Sequence, residues 1–219
     1  MLFANDDEII QYLKGIVSLN NGSIVIENID RLKTHGIDTL VENSVLNPSG
    51  QIRGLSRFII KSAALEMGIV LSSIQGLYDA RGRGECSGFT VPAINIRGMS
   101  YDFSRSIFRT AQKLNTGSFI FEIAKSEIGY TFQQPHEIVG VIIGAAIREN
   151  HAGPVFIQGD HFQVNAKNYQ NSQDKELSGL KKLIQKGIEA GFIILTLTHP
   201  HWLILANPRL LSSSEPTLK

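Results

Sequence analysis

The feature that most constrains this fold is an alternation of apolar strands and amphipathic helices that begins after Gly88. Three apolar runs bounded by turn residues predict strands, and segments with apolar residues at helical spacing follow each of them. The predicted strands are 89–95, 117–124 and 153–158. Three helices are predicted. Ser100 caps the first, Pro135 is the first residue of the second, and the third begins near Lys175. Gly191 ends the third helix.

Strand and helix alternate in the order expected of a parallel sheet. Near-continuous apolar strands joined by helices indicate parallel pairing, because each return to the sheet needs a crossover. We therefore expect an α/β fold, either a doubly wound sheet or the first three β/α units of a TIM-type (β/α)8 barrel. No GxGxxG motif follows the first strand, which disfavours a dinucleotide-binding fold.

The segment 1–87 reads as a mainly helical N-terminal part. Apolar spacing predicts one helix over 6–19 and a second over 52–65 that Gly68 ends, with a short strand at 23–26. The polar, glycine-rich run 80–85 predicts a loop. In the helix after Ser100 the predicted core-facing residues are Phe103, Ile107, Ala111 and Leu114.

Composition excludes several classes of protein. The chain has 219 residues, 42% of them hydrophobic and 19% charged, which is typical of an ordered globular domain. A net charge of +1 disfavours a nucleic-acid or membrane-surface partner. The single cysteine, Cys86, can form no intramolecular disulfide and no cysteine-rich zinc site. The sequence shows neither a signal-peptide pattern nor a membrane-length apolar run, so we expect a cytoplasmic protein.

Polar residues at the ends of the predicted strands are the candidates for chemistry. Asp160 and His161 follow the third strand and offer a proton-transfer group beside a metal ligand or base. Asn95 ends the first strand. Glu122 lies late in the second, where it either faces the interior of a barrel or pairs with Arg97. In parallel β/α folds the carboxyl ends of the strands carry the active site, which favours a functional role for these residues.

The same segments resemble a known enzyme family. The runs FTVPAINIRG, FIFEIAKSEIGY and GPVFIQGDHFQVNAKNY are similar to the class II, zinc-dependent fructose- and ketose-bisphosphate aldolases, and the lead-in LYDARGRGE is also similar. The resemblance covers residues 88–192. It implies a TIM-type barrel and reversible aldol cleavage of a phosphorylated ketose, of fructose or tagatose type, to dihydroxyacetone phosphate and an aldehyde.

The resemblance also implies roles for individual residues. Asp160 takes the position of the acid/base that acts at the substrate C4 hydroxyl, and His161 that of a zinc ligand. Zn²⁺ acts in such enzymes as a Lewis acid on the ketose carbonyl. Asn95 takes the position of a substrate-binding asparagine. On the second strand, Glu122 and Ala124 stand where the family has glutamine and serine, so the identity of the sugar stays open, with Glu122 as a candidate substrate contact.

Two other functions stay open beside the enzyme. Tagatose-bisphosphate aldolases have a non-catalytic companion subunit with a similar Gly-Asp-His strand end followed by asparagine, as Asn165 is here. Two further histidines at later strand ends would favour the enzyme, and their absence the companion. A generic phosphate-binding barrel is supported by fold analogy alone. The resemblance also allows a homo-oligomer.

The amino-acid sequence after Phe192 differs from that of the family. About 105 residues lie between Gly88 and Phe192, enough for three β/α units of a barrel that takes ~250 residues. The family continues with a sequence like YNIDIDTSTLVDLSKPTL. Loss of one base from suitable codons for that text gives IILTLTHPHWLILANPR, the sequence observed here at 193–209. We therefore expect 193–219 to be an out-of-frame tail, His199 and His201 to form no metal site, and the chain as written to be inactive.

Overall fold

The computed structural model describes residues 1–20 and 23–197, and they form a mixed α/β structure around a parallel sheet. The strands are β1 (Val17–Asn20), β2 (Ser23–Ile26), β3 (Ile69–Leu71), β4 (Ala93–Asn95), β5 (Ile120–Ala124), β6 (Gly153–Asp160) and β7 (Ile194–Leu195). The helices are α1 (Asp6–Tyr12), α2 (Ile29–Arg31), α3 (Ile37–Leu46), α4 (Gly50–Glu66), α5 (Gln75–Gly82), α6 (Ser100–Leu114), α7 (Lys125–Thr131), α8 (Pro135–Arg148), α9 (Ala166–Asn171) and α10 (Gln173–Ala190). A π-helical turn, Leu32–Gly36, joins α2 to α3.

Five of the described strands form the parallel sheet. β4, β5, β6 and β7 follow one another in the sheet in the order in which they follow in the chain. β6 is the longest, and its second edge is shared by β3 along its first residues and β7 along its last. β1 and β2 form a separate antiparallel hairpin. The α/β class and the parallel pairing predicted from the alternation are confirmed.

The hydrophobic core lies between the sheet and the helices. Phe121 and Ile123 of β5 and Val155 and Ile157 of β6 are buried there, on alternate residues of each strand. α8 contacts α6 and α10 and is itself covered by α3 and α4, which explains why every residue from Ile138 to Ile147 is buried. None of the helices in the described ranges is long and apolar enough to cross a membrane.

The close approach of α8 to α3 depends on Gly144. A Cβ at this position would lie 2.3 Å from Cγ2 of Val41, which is buried on α3. We expect Gly144→Ala to destabilise the fold by ~1–3 kcal/mol, because a methyl group would be forced into a packed contact. Urea unfolding of Gly144→Ala, Val41→Ala and the double variant measures the coupling; the double variant should lose less than the two single losses combined.

The control for this prediction is Gly54→Ala. Gly54 lies within α4, and a Cβ there meets nothing within 4 Å. Helix propensity alone should then stabilise this variant by up to ~1 kcal/mol. Equal effects at the two glycines would contradict the steric account of Gly144.

Several predicted element bounds were wrong. The helix predicted over 6–19 ends at Tyr12, because Gly15 adopts φ +70° and the chain then turns into β1. The first part of the predicted loop 80–85 belongs to α5. The predicted buried strand 89–95 is paired only as β4, with Phe89 41% exposed. The helix over 52–65, the strand at 23–26, the cap at Gly191 and Pro135 at the first turn of α8 are confirmed.

The predicted inward stripe of α6 was wrong at Phe103 and Leu114, while Ile107 packs against the core as predicted. Phe103 and Leu114 are 55% and 65% exposed, whereas Ser104 and Phe108 of the same helix are buried. β4 is the last strand on this side of the sheet among the described residues. Phe103 and Ile107 line an apolar groove of about 880 Å³.

Candidate functional site at the carboxyl ends of the strands

Parallel register brings the predicted polar residues onto one face of the sheet. Asn95 of β4 lies beside Glu122 of β5, and Glu122 lies beside Gln158 of β6. Asp160 lies two residues further along β6, opposite Ala124. The intervening residues of these strands point into the helix-covered core, so this polar row occupies the opposite face. All four polar side chains are half-buried.

Glu122 is held within this row. Its Oε2 accepts a hydrogen bond from Nε2 of Gln158 at 3.2 Å. Burial raises the pKa of the Glu122 carboxyl, and the negative charges of Asp160 and Glu127 raise it further. The carboxyl therefore holds a proton at a higher pH than an exposed glutamate does. The predicted ion pair of Glu122 with Arg97 is wrong, and Glu122 lies instead on the face of the sheet that carries Asn95 and Gln158.

Arg97 pairs instead with Glu127, a residue of α7 that lies just after β5. Nε of Arg97 donates to Oε1 of Glu127 at 2.5 Å. Oε2 of Glu127 accepts from Nδ2 of Asn95 and from the backbone N–H of Ala124, both at 2.8 Å. Burial alone would raise the pKa of Glu127, but these donors outweigh burial and leave that pKa below its usual range. Glu127 is therefore a buried carboxylate that joins the ends of β4 and β5.

Asp160 and His161 lie together at the end of β6. Oδ2 of Asp160 lies 3.5 Å from Nε2 of His161, whose side chain is 60% exposed. His161 has φ 45°, a left-handed conformation that is uncommon for residues other than glycine. The turn thus places the imidazole beside the carboxylate and open to solvent. This is compatible with a base or a metal ligand.

Gly159 has a packing role at the end of β6. A Cβ here would lie 2.6 Å from Cδ2 of Leu195 and 2.9 Å from the ring of Phe162, both on the core side. The glycine is therefore required for packing against β7 and the turn after β6.

A small polar cleft adjoins His161. Lys125 donates to Glu176 at 2.5 Å, and Glu176 also accepts from the backbone N–H of Asn165 at 2.7 Å. The side chain of Asn165 caps α9 by accepting from the N–H of Asn168. Together with His161 these residues line about 280 Å³. Asn165 is the residue that resembles the asparagine of the companion subunit. Its role in this structure is local, because it caps the helix that follows the loop.

The structure brings together Asn95, Glu122 and Asp160 as predicted, with His161 next to them. Sequence reasoning gave no role to Glu127 or Gln158, although both lie in the row or directly bind it. The only sequence signal for Glu127 was its place three residues after the helix N-cap, where glutamate commonly bonds back to the cap residue. That signal is weak here because the cap residue is alanine.

The described residues complete no zinc site around His161. No group of three or more histidine, cysteine, aspartate or glutamate side chains that could hold a metal occurs within 1–20 and 23–197. Catalytic zinc usually takes three protein ligands. His199 and His201 lie outside the described residues.

Comparison of the chain with protein-family models, with curated proteins and with solved structures finds no match. The function is therefore inferred from the geometry at the carboxyl ends of β4, β5 and β6. That geometry consists of a half-buried polar row, a buried carboxylate that organises it, and an exposed histidine beside an aspartate.

Proposed function

We propose that β4, β5 and β6 with their helices are the first units of a TIM-type (β/α)8 barrel, and that its carboxyl face carries out aldol cleavage of a ketose bisphosphate. The order of the strands supports the barrel. β4, β5 and β6 lie side by side in the order in which they follow in the chain, so the sheet winds in one direction over these three strands. A doubly wound sheet reverses its order at a switch point, which β4, β5 and β6 do not do; β3, which precedes β4 in the chain, lies beside β6 and is not part of this order.

The observation that carries the functional proposal is the register of β4, β5 and β6. It aligns Asn95, Glu122 and Gln158 and places Asp160 on the same face at the end of β6. In barrels of this type, residues from the ends of several strands act on one substrate. The resemblance to class II aldolases assigns Asp160 and Asn95 roles that need such convergence.

The chain's own residues account for part of the chemistry. In cleavage, Asp160 accepts the proton of the substrate C4 hydroxyl as the C3–C4 bond breaks, and it returns that proton in the reverse direction. Asn95 binds substrate with its carbonyl oxygen, which can accept from a hydroxyl while one N–H of Nδ2 donates to Glu127. Glu122, with its raised pKa, donates or accepts a hydrogen bond according to its protonation.

Zinc is part of this proposal and is supported here only by His161. When bound, the ion would act as a Lewis acid on the ketose carbonyl. His161 fits as one imidazole ligand because it is exposed at the strand end, but the described residues do not supply the usual set of three. The remaining ligands are expected in the family's continuation beyond Phe192.

The experiment compares two proteins. One is the chain of 219 residues, and the other is expressed from the gene with the reading frame restored after Phe192. Both are assayed for release of dihydroxyacetone phosphate from fructose and tagatose bisphosphates with added zinc. We expect turnover of ~1 s⁻¹ or more only in the restored protein. A restored protein that binds zinc and releases nothing would favour the companion-subunit alternative, and turnover by the chain as written would refute the expectation that it is inactive.

A further inference from the structure

The outer edge of β4 is an unpaired strand edge. Ile120 donates its N–H to the carbonyl of Pro92 at 2.9 Å, and Ala93 lies beside Ile120 in the parallel register. Alternate residues of such a ladder bond to the neighbouring strand, so Ala93 and Asn95 turn their N–H and C=O groups away from β5. No strand in the described part of the chain pairs with β4 on that side. Ala93 is exposed, which leaves its backbone groups open to another strand.

An apolar stripe of α6 lies beside this edge. Phe103, Ile107 and Thr110 line the groove of about 880 Å³, together with Ile94 of β4. Leu114 continues the stripe at the end of the helix. The steps of four, three and four residues along the stripe are the spacing of a coiled-coil seam, in which one helix packs against another. Phe103 is 55% exposed and Leu114 is 65% exposed, so the two ends of this seam are uncovered among the described residues.

The placement of α6 over the sheet leaves room for a second helix of the same kind. Phe108 packs on Phe119 and Phe121 of β5, whereas Phe103 and the groove lie on the β4 side. The helix therefore lies over the β4–β5 pair. When two copies of the chain join their β4 edges, their α6 helices are two strand spacings apart, which is about 10 Å. Packed helices have this separation.

The charges beside the stripe select the direction of the two helices. Asp102 lies next to Phe103 in the first turn of α6; its side chain is 66% exposed and 4.0 Å from Nη1 of Arg105. Lys113 lies next to Leu114 in the last turn and is exposed. An antiparallel pair with Phe103 beside Leu114 of the second copy brings Asp102 near Lys113 of that copy. A parallel pair would bring like charges together, and it would also align the two helix dipoles.

We infer that the 219-residue chain forms a two-fold symmetric dimer, in which the β4 edges pair antiparallel and the α6 stripes pack against each other. One two-fold axis perpendicular to the sheet makes both the strands and the helices antiparallel. The occupant of the groove is thus a second copy of the chain. This inference goes beyond the proposed function, because neither the polar row nor turnover takes part in it. A closed barrel has no free strand edge, so the dimer is assigned to the chain as written and not to the frame-restored protein.

Sedimentation velocity of the 219-residue chain, over dilutions from millimolar concentration downward, measures the association. We expect the mass to rise with concentration from 24.1 kDa to twice that value and to stop there, because each copy has one β4 edge. One helix stripe and a three-residue strand edge form a small interface, so the dissociation constant should lie in the micromolar range. Below that range the chain is monomeric, and its unfolding reports the fold alone. A constant mass of 24.1 kDa would mean that the groove is covered within one chain and would overturn the inference, as would growth beyond the dimer.

One pair of leucine variants tests the stripe. Leu114→Glu is expected to weaken the association at least tenfold, because it places a charge in the apolar seam. Leu46→Glu is the matched control, since Leu46 is 63% exposed at the end of α3 and does not line the groove. This variant should associate as the unaltered chain does. Circular dichroism should show both variants folded, because both leucines are exposed. Equal weakening by the two substitutions would contradict the assignment of the stripe.

A charge swap tests the antiparallel direction. Asp102→Lys and Lys113→Glu should each weaken the association roughly threefold to tenfold, because each places like charges near one another. The double variant should regain most of the affinity, since every copy again carries one acid and one base at opposite ends of α6. Lys182→Glu, exposed on α10, changes the net charge as Lys113→Glu does and should have no effect. A double variant that associates less than either single variant would overturn the inference.

Cross-linking gives a second measure of direction. Asp102→Cys and Lys113→Cys are made separately in a Cys86→Ser background, which removes the free thiol of the chain. A short bismaleimide should join the two variants when they are mixed. Neither variant should cross-link with itself, because identical positions lie more than about 13 Å apart along antiparallel helices. Cross-linking of each variant with itself, and not in the mixture, would show parallel helices and overturn the inference. Neither zinc nor turnover is needed, so a failure of aldol cleavage leaves these results intact.

Discussion

Alanine at Asp160 is expected to lower kcat of the frame-restored protein ~10²–10⁴-fold while its zinc content stays the same. The reason is that a positioned acid/base contributes a factor of this size to proton transfer, and that Asp160 is not the metal ligand in the proposed site. The loss should appear mainly in kcat, because the proton moves in the transition state. Steady-state kinetics beside metal analysis measures both quantities.

His161→Ala should behave differently in the same protein. This substitution removes a proposed zinc ligand, so zinc content and activity should fall together. His35→Ala is the matched control, since His35 is exposed and lies in the π-helical turn of the N-terminal part; it should keep zinc and rate. If Asp160→Ala loses zinc, or His161→Ala keeps both zinc and rate, the assignment of the two roles is wrong.

The alternation of strands and helices was predictable because each element has a local signal. Pro135 at the first turn of α8, Gly191 at the end of α10 and the apolar run of β6 depend only on neighbouring residues, and all three are found. The bounds of β4 were less predictable, because pairing of an edge strand depends on its partner. Apolar residues at 89–92 are compatible with a strand, yet no ladder forms there in the described structure.

The residues of the candidate site that lie at strand ends could be predicted from the sequence. The hydrogen bonds between residues far apart in the chain could not. Asn95, Glu122 and Asp160 each follow or end an apolar run, so the sequence places them at one edge of a parallel sheet. The bond between Arg97 and Glu127 joins residues 30 positions apart, and nothing local distinguishes it from a pair with Glu122. The choice is made by α7, whose first turn brings the Glu127 carboxylate back to the Ala124 N–H.

The same limit applies to the face that α6 presents to the core. Periodicity identifies an apolar stripe but not which neighbours cover it. The residues that pack are set by the sheet: Phe108 is 1% exposed and contacts the rings of Phe119, Phe121 and His151 at 5.8, 5.3 and 4.9 Å between centroids. This aromatic cluster anchors α6 over β5.

Phe108→Ala is therefore expected to destabilise the fold by ~3–5 kcal/mol, the usual loss when a buried phenylalanine leaves a cavity. Phe103→Ala is the matched control on the same helix: its ring is 55% exposed, and the expected loss is under ~1 kcal/mol. Urea unfolding followed by circular dichroism measures both. Should Phe108→Ala fail to fold, Phe108→Leu should still unfold cooperatively with a loss of ~1–2 kcal/mol, because it retains most of the buried volume. A larger loss at Phe103 than at Phe108 would mean that the predicted stripe, rather than the aromatic cluster, holds α6 against its neighbours.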